Sequence, residues 1–124
     1  MPNEPVTAEG AAPPTGPFAP ATLATGTRVL SISGQVATDA AGADAEEQAR
    51  QALQQIDALL AAAGAAKTDI VRVGVYLTNM ADRAAVARAR VEYFGDHRPA
   101  ATLVEVSALV APELTVEIEA MAVF

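Results

Sequence analysis

The fold is decided by residues 44–77, which read DAEEQARQALQQIDALLAAAGAAKTDIVRVGVYL. Asp44 and Glu47 have the spacing of a capping box, in which two side chains satisfy free backbone N–H groups at the start of a helix. Apolar residues then recur every three or four positions and form one stripe, namely Ala49, Leu53, Ile56, Leu60 and Ala63. Gly64 supplies the left-handed residue that commonly ends a helix. We therefore predict a helix that is capped at residue 44 and ends at residue 63.

Residues 70–77 have the period of a strand. Val71, Val73, Val75 and Leu77 alternate with Arg72, Gly74 and Tyr76. Because successive side chains of a strand point to opposite faces, this pattern predicts one buried face and one face of mixed character.

A second helix is predicted after this strand. Asp82 is a candidate cap, and Gly95, with Pro99 beyond it, ends the element. Two sets of residues fit the buried stripe equally well: Val86, Arg90 and Tyr93, or Val86, Ala89 and Tyr93.

The remaining elements are predicted as strands. In residues 21–32, two short apolar runs separated by Thr25, Gly26 and Thr27 predict a hairpin, which Ser33, Gly34 and Gln35 then interrupt. Residues 102–106 and 114–123 are also strand-like. The order β-β-α-β-α-β-β predicts an α+β fold with two helices on one face of a mixed sheet.

That order leaves the second face of the sheet without helices. Met121, Val123 and Val104 are among the residues predicted to place apolar side chains there. A second copy of the same sheet is the simplest cover in so short a chain, so we predict a homo-oligomer.

The first twenty residues differ in composition from the rest. They hold six of the eight prolines, which exclude a helix or a central strand. We predict a flexible N-terminal arm over residues 1–10 and a single domain over residues 11–124.

Composition excludes several functional classes. With no cysteine and one histidine, thiol chemistry is absent and a dedicated metal site is not expected. Eight Lys+Arg against fifteen Asp+Glu give a net charge of −7, which argues against nucleic acid and membrane partners. The same charge favours a small neutral or polar molecule as the ligand. The absence of a long apolar run or a basic leader predicts a cytoplasmic chain.

Motifs spread over residues 12–123 together resemble the RidA/YjgF family of imine and enamine deaminases, also called the L-PSP endoribonuclease family. They are Ala12, Pro13, Gly16, Pro17 and Phe18; Ser33, Gly34 and Gln35; residues 48–64 and 69–77; Tyr93 and Phe94; Pro99 and Ala100; and residues 104–106 and 116–120. The resemblance implies a chorismate-mutase-like fold and a homotrimer with an inner barrel, three clefts between subunits and no cofactor.

The resemblance also implies site residues. Glu117 matches the glutamate that positions water, and Ser33, Gly34, Phe18 and Thr102 are expected to line the substrate cleft. The arginine that holds the substrate carboxylate is replaced by Ala101. Phe18 lacks the usual hydroxyl, and Ala87 stands where an asparagine is common.

Because three polar groups are missing together, we predict a trimer that binds a small, weakly polar metabolite and has lost or altered the usual deamination. The first alternative retains hydrolysis of 2-iminopropanoate or 2-iminobutanoate to 2-oxo acids and ammonia, with another group such as Arg98 replacing the arginine. The second is a chaperone-like or regulatory binding protein.

Overall fold

The computed structural model describes residues 3–124, in which two helices cover one face of a four-stranded sheet. The strands are β1 (Asn3–Val6), β2 (Ala21–Ala24), β3 (Val29–Val36), β4 (Ile70–Leu77), β5 (Ala100–Glu105) and β6 (Val116–Val123). The helices are α1 (Ala45–Ala63) and α2 (Arg83–Phe94), and short 3-10 turns at Lys67–Asp69 and Met80–Asp82 precede β4 and α2. The predicted α+β class with a mixed sheet is confirmed.

The strand order of the main sheet is β3-β6-β4-β5. β6 runs antiparallel to both β3 and β4, whereas β4 and β5 are parallel. A parallel pair requires a crossover connection, and α2 provides it. This order makes β5 an edge strand of the main sheet, which decides where one part of the candidate site lies.

The core lies between the helices and one face of the sheet. Ile56 and Val75 are completely buried in it, and Leu53 and Leu60 are almost so. The predicted start of α1 is confirmed, because Asp44 Oδ1 accepts a hydrogen bond of 2.9 Å from the Glu47 amide. Gly64 ends the helix with a φ of 82°, a conformation that favours glycine.

The second helix matches its predicted bounds but not its predicted cap. Asp82 makes no capping hydrogen bond with its side chain. Instead Asn79 Oδ1 accepts a bond of 2.9 Å from the Ala81 amide and begins the preceding 3-10 turn. Because this 3-10 turn precedes α2, the helical segment begins before Arg83, and its capping side chain is Asn79 instead of Asp82.

The predicted hairpin over residues 21–32 is wrong. β2 pairs with β1, whereas β3 pairs with β6. Between them the amides of Thr27 and Arg28 donate to the carbonyl oxygen of Phe124 at 3.2 and 2.9 Å. The backbone therefore bonds to the C-terminal residue instead of folding back on itself. β3 also continues through Ser33 and Gly34, where its register with β6 shifts as in a β-bulge.

The N-terminal segment includes a strand where a flexible arm is predicted. Asn3 is buried, and its Nδ2 donates to the carbonyl oxygens of Ile70 at 2.7 Å and Thr68 at 3.3 Å. Pro5 lacks a backbone N–H but is tolerated because β1 is an edge strand. Residues 1 and 2 of the predicted arm lie outside the described residues.

The open face of the sheet, defined as the face without helices, is mixed in character. It carries Arg72, Gly74, Tyr76, Thr102, Val104, Glu117, Glu119 and Met121. Met121 and Val104 are each 39% exposed, so apolar surface is accessible there. The homo-oligomer remains a prediction. Within residues 3–124, neither helix is both long and apolar enough to cross a membrane.

Candidate functional site

The first group of site residues meets at the bulge of β3. Glu117 on β6 lies so close to Gly34 that a Cβ atom at position 34 would overlap its Oε2 and lie 2.7 Å from its Cδ. Gln35 Nε2 donates to the Ser33 carbonyl oxygen at 2.9 Å and holds the bulge. Gly34 is therefore required for the close approach of the carboxylate to the β3 backbone.

The two glutamates of the open face differ in their contacts. Glu119 accepts a hydrogen bond from the hydroxyl of Tyr76, and this bond raises the pKa of Tyr76 above its usual value. Glu117 is half-buried, and within residues 3–124 its carboxylate makes no hydrogen bond. Of the two, Glu117 is therefore the carboxylate without a hydrogen-bond donor among residues 3–124.

The second group lines a cavity of about 270 Å³. One wall is formed by residues 15–18, including Phe18, and the opposite wall by α2 with Ala87. Ala101 and Leu103 of β5 complete the lining on the helix side of the sheet. The structure thus brings together the three positions at which the resemblance implies missing polar groups.

Thr102 does not lie in this cavity. Its Oγ1 accepts a bond of 2.8 Å from Arg72 Nη2 on the open face, because neighbouring residues of a strand point to opposite faces. Within one chain Thr102 and Ala101 therefore lie on opposite faces of the sheet, with Thr102 on the open face.

The two groups are separate within one chain. Ala101 pairs with Val73 of β4, which pairs with Ala120 of β6, so β4 lies between the strands that carry Ala101 and Glu117. The side chains of Ala101 and Glu117 also point to opposite faces of the sheet. A cavity containing both groups would need a second copy of the chain.

The guanidinium of Arg98 is bonded to the backbone after α2 through its Nη1 atom. Its Nη1 donates to the carbonyl oxygens of Gly95 and, at 3.1 Å, His97. These bonds satisfy acceptors just after the C-terminus of α2, which is a common structural role for a cation.

Sequence analysis missed Arg90 as a site residue. Arg90 lines the cavity and is only 3% exposed, yet its Nε and Nη2 have no hydrogen-bond partner within residues 3–124. Burial, together with the nearby charge of Arg98, lowers the pKa of Arg90 to about 10. The sequence does contain a signal for Arg90. It lies four residues from both Val86 and Phe94, on the buried face of the helix, where an arginine is unusual.

Comparison with known proteins agrees with this fold. The family model described as Endoribonuclease L-PSP matches residues 9–124. A RutC family protein from Pyrococcus horikoshii is 39% identical, with 97% of each chain covered. The 3-aminoacrylate deaminase RutC from Acinetobacter baylyi is 34% identical, with 98% of each chain covered.

A solved structure shows the same architecture. The Rid protein family member YyfB from Yersinia pestis, a protein of unknown function, superimposes with a TM-score of 0.86 at 34% identity over 100% of both chains. Because the family model and these relatives span nearly all of the sequence, the chain belongs to the RidA/YjgF family, whose model is described as Endoribonuclease L-PSP.

Proposed function

We propose that this protein hydrolyses small reactive imines or enamines to a carbonyl compound and ammonia, without a cofactor, in clefts between subunits of a homotrimer. The observation that carries the proposal is the half-buried Glu117 carboxylate, which lies against Gly34 and makes no hydrogen bond within residues 3–124. The 3-aminoacrylate deaminase among the relatives supports the same reaction class.

The chemistry requires one group that accepts and returns a proton. Glu117 accepts a proton from water while the water oxygen forms a bond to the carbon of the protonated imine, and the electron pair of the C=N bond passes to nitrogen to give a neutral carbinolamine. Glu117 then returns its proton to the nitrogen. The carbinolamine hydroxyl loses its proton to the Glu117 carboxylate, the O–H electron pair forms the C=O bond, and the C–N bond breaks to release ammonia. An enamine first moves a proton to carbon to become the imine. General acid–base catalysis of this kind contributes typically 10²- to 10⁴-fold in rate.

The separation of the two residue groups supports a shared cleft. One chain supplies Glu117 and Gly34 on its open face, and a neighbouring copy would supply the cavity beside Ala101. Exposed apolar residues on the open face, including Met121 and Val104, give the copies a surface to bury. Sedimentation velocity at micromolar concentration should show a trimer, and a stable monomer with full activity would contradict the shared cleft.

The test generates the imine in situ with an amino-acid oxidase and measures its loss by semicarbazide trapping. The unmodified protein should accelerate imine loss, and Glu117→Gln should reduce that acceleration at least 100-fold. Glu119→Gln is the matched control, because Glu119 lies on the same strand and face but bonds to Tyr76. Equal activity of Glu117→Gln and the unmodified protein would refute the proposed role.

Binding of a weakly polar metabolite without turnover is the second candidate. The apolar side chains at Phe18, Ala87 and Ala101, which replace three polar groups expected from the family, favour it. In that case the unmodified protein should not accelerate imine loss, and Ala101→Arg should create activity that depends on Glu117.

A further inference from the structure

Helix α2 directs two arginines at the cavity beside Ala101. Arg83, Ala87 and Arg90 are spaced by four and three residues, so they share one face of the helix, and all three line the cavity. Arg83 Nη2 donates to Thr15 O at 3.2 Å and Thr15 Oγ1 at 3.3 Å, which ties residues 15–18 to the helix. Arg83 therefore fixes this wall of the cavity in place, whereas Arg90 is more deeply buried and has no partner among residues 3–124.

No acidic group compensates Arg90 within residues 3–124. The ion pairs of this part of the chain involve Arg50 and Arg88 on the helix surfaces, and Arg90 takes part in none of them. The charge that most affects it is that of Arg98, which has the same sign. A buried guanidinium with free N–H groups is unfavourable unless an anion completes its hydrogen bonds.

The cavity has room for such an anion. Its volume of about 270 Å³ suits a ligand of a few heavy atoms, and Phe18, Met80 and Leu103 supply apolar walls. Alanine at positions 87 and 101 leaves the space unfilled. A guanidinium is the group best matched to a planar carboxylate, which it can bind through two parallel hydrogen bonds.

We propose that Arg90 binds the carboxylate of a small organic anion in this cavity, so that α2 supplies the contact that an arginine at position 101 of β5 would otherwise make. The identity of the anion as an imino acid or its 2-oxo acid product rests on the proposed function. The binding of a carboxylate by Arg90 does not, and it can be measured without turnover.

The test titrates the full chain with 2-oxobutanoate and, in parallel, with 2-butanone, which lacks the carboxylate. Calorimetry should detect 2-oxobutanoate with the unmodified protein and a loss of affinity of about 10-fold to more than 100-fold with Arg90→Met. Arg88→Met is the matched control, since Arg88 is an exposed arginine on the same helix that bonds to Glu46, and it should retain the affinity. Butanone should bind equally weakly to all three proteins.

Two results would overturn the inference. One is the absence of 2-oxobutanoate binding by the unmodified protein, and the other is unchanged affinity in Arg90→Met. Unchanged affinity in Arg90→Met would arise if Arg90 paired with an acidic side chain of a neighbouring copy. In that case Arg90→Met would also weaken the oligomer.

The inference and the proposed function fail separately. If Glu117→Gln retains 2-oxobutanoate binding but neither it nor the unmodified protein accelerates imine loss, the deaminase proposal fails and the Arg90 site stands. If Arg90→Met hydrolyses imines with unchanged KM and kcat, the Arg90 site fails and the deaminase proposal stands.

A second pair of variants covers the case in which Arg90→Met does not fold. Ala101→Glu places a carboxylate in the cavity with Arg90, whereas Ala101→Gln adds a side chain of the same size without charge. Ala101→Glu should unfold at a higher urea concentration than Ala101→Gln and should not bind 2-oxobutanoate. Equal unfolding midpoints would show that Arg90 is not available to an anion.

Discussion

Replacing Arg90 by methionine is expected to raise the free energy of unfolding at neutral pH, although it removes a charged group from the structure. Methionine keeps the unbranched apolar stem and packs readily in irregular space, but it brings no charge and no N–H group that needs a partner. The stabilisation follows from the environment of Arg90, which is 3% exposed and has two nitrogens without partners within residues 3–124.

The size of the effect follows from the change in proton affinity on folding. The pKa of Arg90 is lowered from its ordinary value to about 10, and each tenfold change in proton affinity corresponds to about 1.4 kcal/mol. Folding therefore disfavours the charged guanidinium by up to about 3 kcal/mol. Because folding lowers the pKa of this base, the penalty is fully present below about pH 10 and is relieved as the pH rises from there toward the ordinary pKa of arginine. At pH 7 we expect Arg90→Met to recover about 1–3 kcal/mol.

Urea unfolding at pH 7, at fixed protein concentration and in a buffer without phosphate, measures this difference. A bound anion would stabilise the unmodified protein and reduce the gain, so adding 2-oxobutanoate should narrow the gap between the two proteins. Arg88→Met should change the free energy of unfolding by no more than about 0.5 kcal/mol, because it removes only an exposed ion pair. If Arg90→Met is less stable by more than about 1 kcal/mol, Arg90 has a partner and the reasoning is refuted.

Three further predictions concern the backbone of the site and the core. Gly34→Ala should lower deaminase activity at least tenfold in the imine assay, because the new Cβ displaces the Glu117 carboxylate; its urea midpoint should not fall, since the displaced group is the end of a flexible side chain. Gln48→Leu should reduce the free energy of unfolding by about 2–4 kcal/mol in urea titration, because it removes the 2.9 Å bond from the Thr115 amide and bonds to two carbonyl oxygens. Ile56→Ala should reduce it by about 2–5 kcal/mol because Ile56 is completely buried, and a loss below 1 kcal/mol would contradict the position of the core.

Local pattern was sufficient for the two helices and for β4. The capping spacing of Asp44 and Glu47 and the alternation along residues 70–77 depend on neighbours within a few positions, and both correspond to what is observed. The hairpin prediction failed because the partner of a strand is chosen by distant residues. Nothing in residues 21–32 indicates that β2 pairs with β1 or that Phe124 accepts the amides of Thr27 and Arg28.

The candidate site, like the fold, was predicted from the sequence only in part. The closeness of Glu117 to Gly34 could be anticipated from the family pattern. Strand alternation also puts Ala101 and Thr102 on opposite faces, but which of them faces the helices depends on how β5 pairs with β4. Arg90 fitted the apolar stripe of α2 as one of two alternatives, and helical periodicity cannot tell a core position from a cavity wall.

The sequence by itself determined the family and the α+β class, because these depend on residue identities and short-range spacing. Only the tertiary structure decided which arginine lies buried in the cavity without a partner in the described part of the chain, residues 3–124. That outcome depends on the packing of α2 against β5 and residues 15–18. Contacts between segments that are distant in the chain do not produce a periodic pattern in the sequence.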